Sequence, residues 1–253
     1  MQSSLFENLR GLSKQKTLLT HIQPTMKSFL YLILCLPVVF SQISEEIDSQ
    51  FYDVFFTENR EWRLVFRGTP AINQSVWHAF TTHQTIKVEP GCKQIFSQEP
   101  CQHHYRNNDV MDHWANFEQV AFVIYKGGVR VAHVIFDGTG TNYQNWCDSK
   151  RIVSSSWTDI KKNGKNFFSV HGDDSLQRRF FMNHQYGGCP SDAGWFVAVD
   201  RKNVPCAWEK NSGFPMFLYA KKDVMTNWTT GDVERADFIA VFVKYNTGAV
   251  VGK

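Results

Sequence analysis

The sequence predicts an all-β fold, a single antiparallel β-sandwich or jelly-roll-like domain with irregular disulfide-bearing loops. Three observations lead there. Runs rich in β-branched and aromatic residues recur at short intervals, each bounded by Gly, Pro, Asn or Asp. No amphipathic run of helical length separates them, which argues against α/β alternation. Five cysteines follow a secretory leader, the pattern of an oxidised, loop-rich exported domain.

The leader comes first in the chain. Residues 29–40 (FLYLILCLPVVF) form an uncharged run preceded by Lys27 and closed by Val39, Phe40 and Ser41. A positive n-region, a short apolar stretch and small residues at its end read as a signal peptide over residues 26–41. Twelve apolar residues are too few to span a bilayer, which needs about 20, and no later stretch is long enough, so no membrane span is expected. Residues 1–25 carry scattered charge, and Pro24 stands just before a second methionine, so translation is expected to start at Met26. The domain reading is a leader over 1–41 and one secreted β domain over 42–253.

Removing the leader changes the charge. The formal net charge of +3 comes from 27 basic and 24 acidic residues. The leader holds Arg10, Lys14, Lys16 and Lys27 against Glu7, which leaves 23 of each sign and a neutral mature chain. Nucleic-acid binding needs a basic surface that displaces counterions, so it is not expected. A disordered polyacidic chain is excluded too, because no acidic run exceeds Asp173-Asp174 or Glu45-Glu46.

Strands follow in order. Residues 62–67 form the first candidate. The strongest signal lies between Phe117 and Phe136, where VAFVIY and VRVAHVIF flank Lys126-Gly127-Gly128 and read as a β-hairpin. Val120, Phe122 and Ile124 point one way, and Ala121, Val123 and Tyr125 the other. Strands apolar on both faces lie centrally in a sheet covered on each side. Further candidates are residues 167–171, 178–182, 195–199, 215–220 and 238–245. Helical signals are short, one or two turns at Asn116-Phe117-Glu118 or at residues 154–161, the latter with a serine cap. Residues 72–116, polar and rich in histidine, are expected to be irregular.

Cys35 leaves with the signal, and Cys92, Cys101, Cys147, Cys189 and Cys206 remain. Sequence alone does not fix connectivity. Local spacing favours Cys92 with Cys101 and Cys189 with Cys206, each closure worth about 2–3 kcal/mol in the chain-entropy model. Cys147 is then left over, either as a buried reduced thiol beside Trp146 or as the bridge of a disulfide-linked dimer. Two sequons, at Asn73 and Asn227, are candidate N-glycosylation sites, with Asn73 favoured because Trp228 occupies the middle position of the second.

Catalytic and metal signatures fail. His103, His104 and His113 cluster near Cys101 and Asp109, but an oxidised cysteine offers zinc no thiolate. The segment Asp137-Gly138-Thr139-Gly140-Thr141-Asn142 lacks the Lys-Ser/Thr ending of a P-loop and the acidic spacing of an EF-hand, so it reads as a turn. Asp173-Asp174 after Gly172 reads as turn chemistry before calcium ligation. There is no G-x-S-x-G around Ser154-Ser155-Ser156 and no H-E-x-x-H. No catalytic, cofactor-binding or metal residue is assigned, and no cofactor is expected. Of 37 aromatic residues, 33 lie outside the leader. Most are expected in the core, with Trp77, Trp146 and Trp228 as candidate platforms for sugar rings or another protein.

Several blocks together resemble a module of secreted invertebrate proteins found in the organic matrix of calcified shells. They are Gln74-Ser75-Val76-Trp77, His104-Tyr105-Arg106-Asn107, Val134-Ile135-Phe136-Asp137-Gly138-Thr139 and Ser155-Ser156-Trp157-Thr158-Asp159. Further along stand Arg178-Arg179-Phe180-Phe181-Met182-Asn183, Tyr186-Gly187-Gly188-Cys189-Pro190, Gly194-Trp195 and Cys206-Ala207-Trp208-Glu209. The resemblance implies an extracellular, disulfide-bearing β domain with no transferable catalytic residue, and cysteine is not expected at position 147 of such a module. The resulting expectation is a secreted, non-enzymatic extracellular matrix protein, a component of shell organic matrix, whose partners are matrix proteins or polysaccharide. Two rivals remain open. One is a lectin-like carbohydrate-binding protein, and the other is a secreted hydrolase, which convergent carboxylates or a Ser/His pair in one cleft would revive.

Overall fold

The computed structural model describes residues 62–95 and 101–246. The signal peptide, the start at Met26 and cleavage after Ser41 lie outside the described residues. All described residues belong to one compact unit, Ser49–Lys253.

Two antiparallel sheets form the fold. The first contains β1 (Trp62–Gly68), β2 (Tyr105–Arg106), β3 (Phe117–Lys126), β4 (Val129–Asp137), β5 (Ile152–Ser155) and β12 (Phe238–Tyr245), in the order β2-β1-β12-β3-β4-β5. The second contains β6 (Phe167–Ser169), β7 (Arg178–Gln185), β8 (Ala193–Val199), β9 (Met216–Ala220) and β11 (Val233–Arg235), in the order β11-β9-β8-β7-β6. A two-residue strand, β10 (Thr226–Asn227), pairs with β8. Strands adjacent in sequence are mostly neighbours within a sheet, and β12 returns to the first sheet between β1 and β3. The architecture is the expected all-β sandwich.

The hairpin forms as predicted. Gly127 and Gly128 sit at φ 60° and 76° between β3 and β4. A two-residue loop with both φ values positive matches the right-handed twist of the flanking strands, and glycine meets that need without a Cβ clash. The opposite-face assignment of β3 also holds. Val120, Phe122 and Ile124 enter the core between the sheets, and Ala121, Val123 and Tyr125 belong to a second apolar cluster on the outer face.

The central core is aromatic. Phe122 meets Phe196 edge-on at 4.8 Å and stacks on Phe180 at 5.7 Å, which joins β3 to β8 and β7 across the sandwich. A bulge in β7 sets this contact. Phe180 adopts φ 46°, and the pairing of β7 with β8 shifts between Arg179 and Met182. Arg179 and Phe180 therefore both turn toward the first sheet and its helix, while Arg178 and Phe181 both reach the outer face.

Local expectations differ in three places. Asn116-Phe117-Glu118 is not a helical turn, because Phe117 opens β3 and pairs with Tyr245 of β12. Residues 154–161 are also not helical: β5 runs through Ser155, and turns follow. Residues 72–116 hold more structure than expected, with two short helices, α1 (Val76–Thr81) and α2 (Asn108–Asp112). Each is capped by a side chain, Ser75 accepting from the His78 N–H and Asn107 from the Val110 N–H.

Both expected disulfides are present, Cys92–Cys101 and Cys189–Cys206. No helix among the described residues is long and apolar enough to cross a membrane.

Candidate functional site

The residue blocks with the strongest sequence character are fastenings of the fold. Trp157 donates its indole N–H to the Ala220 carbonyl at 3.1 Å, and Asp159 accepts from Trp195 Nε1 at 2.7 Å and from the Met225 N–H. One short turn thus ties β5 of the first sheet to β8 and β9 of the second. Asp200 does the same for α1: its carboxylate accepts from Ser75 Oγ at 2.6 Å and from the N–H groups of Val76 and Trp77. Burial raises the Asp200 pKa against the pull of those three bonds.

The densest polar constellation surrounds Arg178. Its Nε donates to Glu209 at 2.7 Å and its Nη1 to Asp192 at 3.1 Å, and all three side chains are 1% exposed or less. The guanidinium lies over Trp208 at 4.7 Å and Tyr186 at 5.2 Å. Asp192 and Glu209 are thus a convergent carboxylate pair, but both are committed to one buried arginine and meet no solvent-filled cleft. Asp173 accepts from Ser175 and from the Tyr186 hydroxyl, and Asp174 pairs with Arg179 at 2.6 Å. Gly172 allows that turn: at φ 67°, an added Cβ would collide with the Arg178 carbonyl oxygen.

Histidine chemistry resolves the same way. His104 is buried. Its Nδ1 accepts the Thr69 N–H at 3.0 Å and its Nε2 donates to the Gln74 carbonyl at 3.0 Å, which defines a neutral tautomer. Burial pushes its pKa down to about 4. His103 pairs with Glu89, and His83 with Asp112, which also binds Arg106. Among the described residues the only grouping of metal-ligating type is Glu89 with Cys92 and Cys101. Both sulfurs are oxidised to a disulfide, so no thiolate is on offer.

A Ser/His contact does occur. Ser156 Oγ lies 2.8 Å from His133 Nδ1 and also accepts the His133 main-chain N–H at 3.1 Å. The Ser156 N–H in turn donates to the His133 carbonyl. This closed pattern extends the pairing of β4 with β5. Burial, aided by Arg130, holds the imidazole pKa near 4, which makes it a poor general base at neutral pH. Neither residue lines the clefts described below.

The candidate platforms are occupied. Trp146 and Trp228 are 0% and 3% exposed. Trp77 carries the Arg179 guanidinium over its ring at 4.9 Å and meets His171 edge-on. Cys147 is 2% exposed and unpaired, with its pKa driven up by burial and by the neighbouring Asp148. Of the two roles open to it, its surroundings are those of a buried reduced thiol. The sequons differ as well. Asn73 is exposed. The Asn227 amide donates to the Pro190 carbonyl at 2.9 Å and accepts from the N–H groups of Thr229 and Thr230, so both of its ends are engaged.

Two clefts remain. One, of about 350 Å³, opens at the end of the first sheet where β3 begins and β4 and β12 end. Trp114, Asn116, Phe117, Thr139, Thr141 and Asn246 line it, with Gly138 and Gly140. Trp114 is fixed by its Nε1–H donating to Thr141 Oγ1 at 3.1 Å and by edge contact with Phe117 at 4.9 Å. Asp137 accepts the Thr139 N–H and thereby shapes the loop. The lining is aromatic and amide- or hydroxyl-bearing, without a charged side chain. Residues 137–142 contain the turn expected of them, and nothing in the sequence around Trp114 marks it as a lining residue. The second cleft, about 520 Å³ and more open, is lined by Arg201, Lys202 and Lys210 with Leu176, Val204 and Pro205.

No protein-family model, no curated protein and no solved structure matches this chain.

Proposed function

We propose that the protein is a secreted, non-enzymatic component of an extracellular matrix that attaches to neutral polysaccharide through the cleft beside Trp114. The observation that carries this reading is the lining of that cleft: a fixed indole beside neutral amide and hydroxyl groups, suited to the apolar face and hydroxyl edge of a sugar ring. The groups that suggest catalysis, Asp192 with Glu209 and Ser156 with His133, are engaged in holding the fold. Two disulfides fit an oxidising compartment. The resemblance to invertebrate shell modules makes the organic matrix of a calcified shell the proposed setting. Asn73 is the proposed glycan acceptor.

Co-sedimentation with insoluble chitin and cellulose tests the attachment. The native protein pellets with at least one of them, and Trp114→Ala weakens binding tenfold or more, about 1.4 kcal/mol, while Lys202→Ala leaves it unchanged. Equal binding by native protein and Trp114→Ala contradicts the assignment of the cleft. A lectin acting in solution is the second reading, favoured by the same cleft, and high-affinity capture of a soluble oligosaccharide without binding to the insoluble polymers would select it.

A further inference from the structure

Acids and cations that alternate along the chain after β8 are separated in space by the fold. Asp200 stands beside Arg201 and Lys202, and Glu209 beside Lys210. The acids turn inward. Asp200 is 4% exposed and accepts from Ser75 Oγ and from two N–H groups of α1, and Glu209 is 0% exposed and bound to Arg178. The cations turn outward: Lys202 and Lys210 are exposed, Arg201 is half-buried, and all three line the cleft of about 520 Å³. Arg235 stands beside them, its Nη2 donating to the Lys210 carbonyl at 2.9 Å. Among the described residues none of these four cations is in an ion pair, because the other nearby acids are engaged elsewhere. Asp174 holds Arg179, Asp232 holds Lys222, and Glu234 accepts from the Tyr219 hydroxyl.

The cleft is also held in shape. Arg201 Nη1 donates to the Ser175 carbonyl at 3.1 Å, and the Asn211 amide donates to the carbonyls of Arg201 and Glu209 at 3.2 and 3.0 Å. Between these points Cys206 is fixed to Cys189. A loop fastened in this way presents its cations with little further ordering on binding.

A polyanion is the electrostatic complement of such a cleft, and the lining selects among polyanions. A single nucleic-acid strand stacks its bases on aromatic rings, and no aromatic side chain is among the described lining residues. A duplex needs a longer basic surface that meets many phosphates. An acidic protein needs about 20–30 residues a side, far more than the seven that line the cleft. Leu176, Val204 and Pro205 offer apolar surface suited to the C–H face of a sugar ring. We propose that this cleft is a second binding site, for a sulfated polysaccharide, whose sulfates meet Arg201, Lys202 and Lys210. Several cations around one cleft match several anionic groups on adjacent rings, the charge density of a sulfated chain. The two clefts share no lining residue, so the proposal stands or falls separately from the neutral-polysaccharide reading.

Dextran sulfate is the probe, with uncharged dextran, polyglutamate and duplex DNA beside it. The native protein is expected to bind dextran sulfate at about 0.1 M salt and to lose at least tenfold in affinity at about 1 M, as the Debye length shrinks from about 10 Å to about 3 Å. Lys202→Glu combined with Lys210→Glu, both at exposed positions, is expected to weaken binding at least tenfold with the circular-dichroism spectrum unchanged. Trp114→Ala is expected to leave it unaltered. Lys150→Glu combined with Lys162→Glu makes the same change in net charge at exposed positions outside the cleft, and is expected to stay within about threefold of native. No binding of dextran sulfate by the native protein would overturn the proposal without need of any variant. An equal loss in both paired variants would overturn it in favour of a diffuse charge effect, and equal binding of duplex DNA or polyglutamate would overturn the choice of a sulfated polysaccharide.

Discussion

Arg178 and Glu209 are joined at 2.7 Å, Nε to Oε1, with neither side chain more than 1% exposed. Asp192 completes the arrangement from the loop that carries Cys189. One cation thus binds the segment around residues 186–192 to that around 206–209, alongside the disulfide that links them covalently.

Arg178→Met leaves two buried carboxylates without their cation, and loss of one partner of a buried pair costs about 3–5 kcal/mol. Arg178→Lys recovers little of this, because a point charge cannot hold Glu209 and Asp192 through separate fixed N–H groups. Urea denaturation midpoints of both variants measure the effect. A change within 0.5 kcal/mol in Arg178→Met contradicts the structural role given to the network.

Replacing Cys189 and Cys206 together by serine is expected to destabilise by about 3 kcal/mol, and replacing Cys92 and Cys101 by slightly less, in line with their separations of 17 and 9 residues. The first pair carries an added loss, since Cys206 Sγ lies 3.4 Å from Arg178 Nη2. Thermal unfolding of the two double variants under identical conditions gives the ranking.

Stability should fall as pH drops from about 6.5 to about 4. An unfolded imidazole takes up its proton near pH 6.5, whereas folded His104 resists protonation down to about 4 because it is buried. The unfolded state therefore binds more protons across that window, and stability rises with pH through it. The His104 contribution is on the order of 3 kcal/mol, and His133 acts in the same direction. Denaturant titrations at pH 7, 5.5 and 4.5 show the slope, and His104→Gln, which cannot take the proton, reduces it.

Cys147 is expected to react with a thiol reagent only after unfolding, because burial keeps it protonated and out of contact with the reagent. Non-reducing electrophoresis accordingly shows a monomer. A dimer band that disappears with Cys147→Ala contradicts this placement.

Long strands were legible because their apolar periodicity is strong. The β3–β4 hairpin is marked by Gly127-Gly128, and β12 is found over the same residues, 238–245, as the sequence reading placed it. Strands β2, β5, β10 and β11 were missed. At two to four residues they carry no periodicity of their own, and tertiary partners create them. Helices α1 and α2 were missed because six and five residues cannot display an amphipathic stripe. The cleft was illegible for a different reason: Trp114, Thr141 and Asn246 meet only because β3, β4 and β12 pair in one sheet, which no local pattern announces. Burial of His104 was hidden likewise, since its partners, Thr69 and Gln74, lie some 30 residues away.

The central claim, a non-enzymatic protein resident in an extracellular matrix, is tested most directly by where the protein accumulates. Quantitative immunodetection in the insoluble organic residue of demineralised matrix and in the surrounding body fluid compares the two compartments in one animal. Enrichment in the insoluble fraction is the predicted result, and protein confined to the soluble fluid would contradict the account.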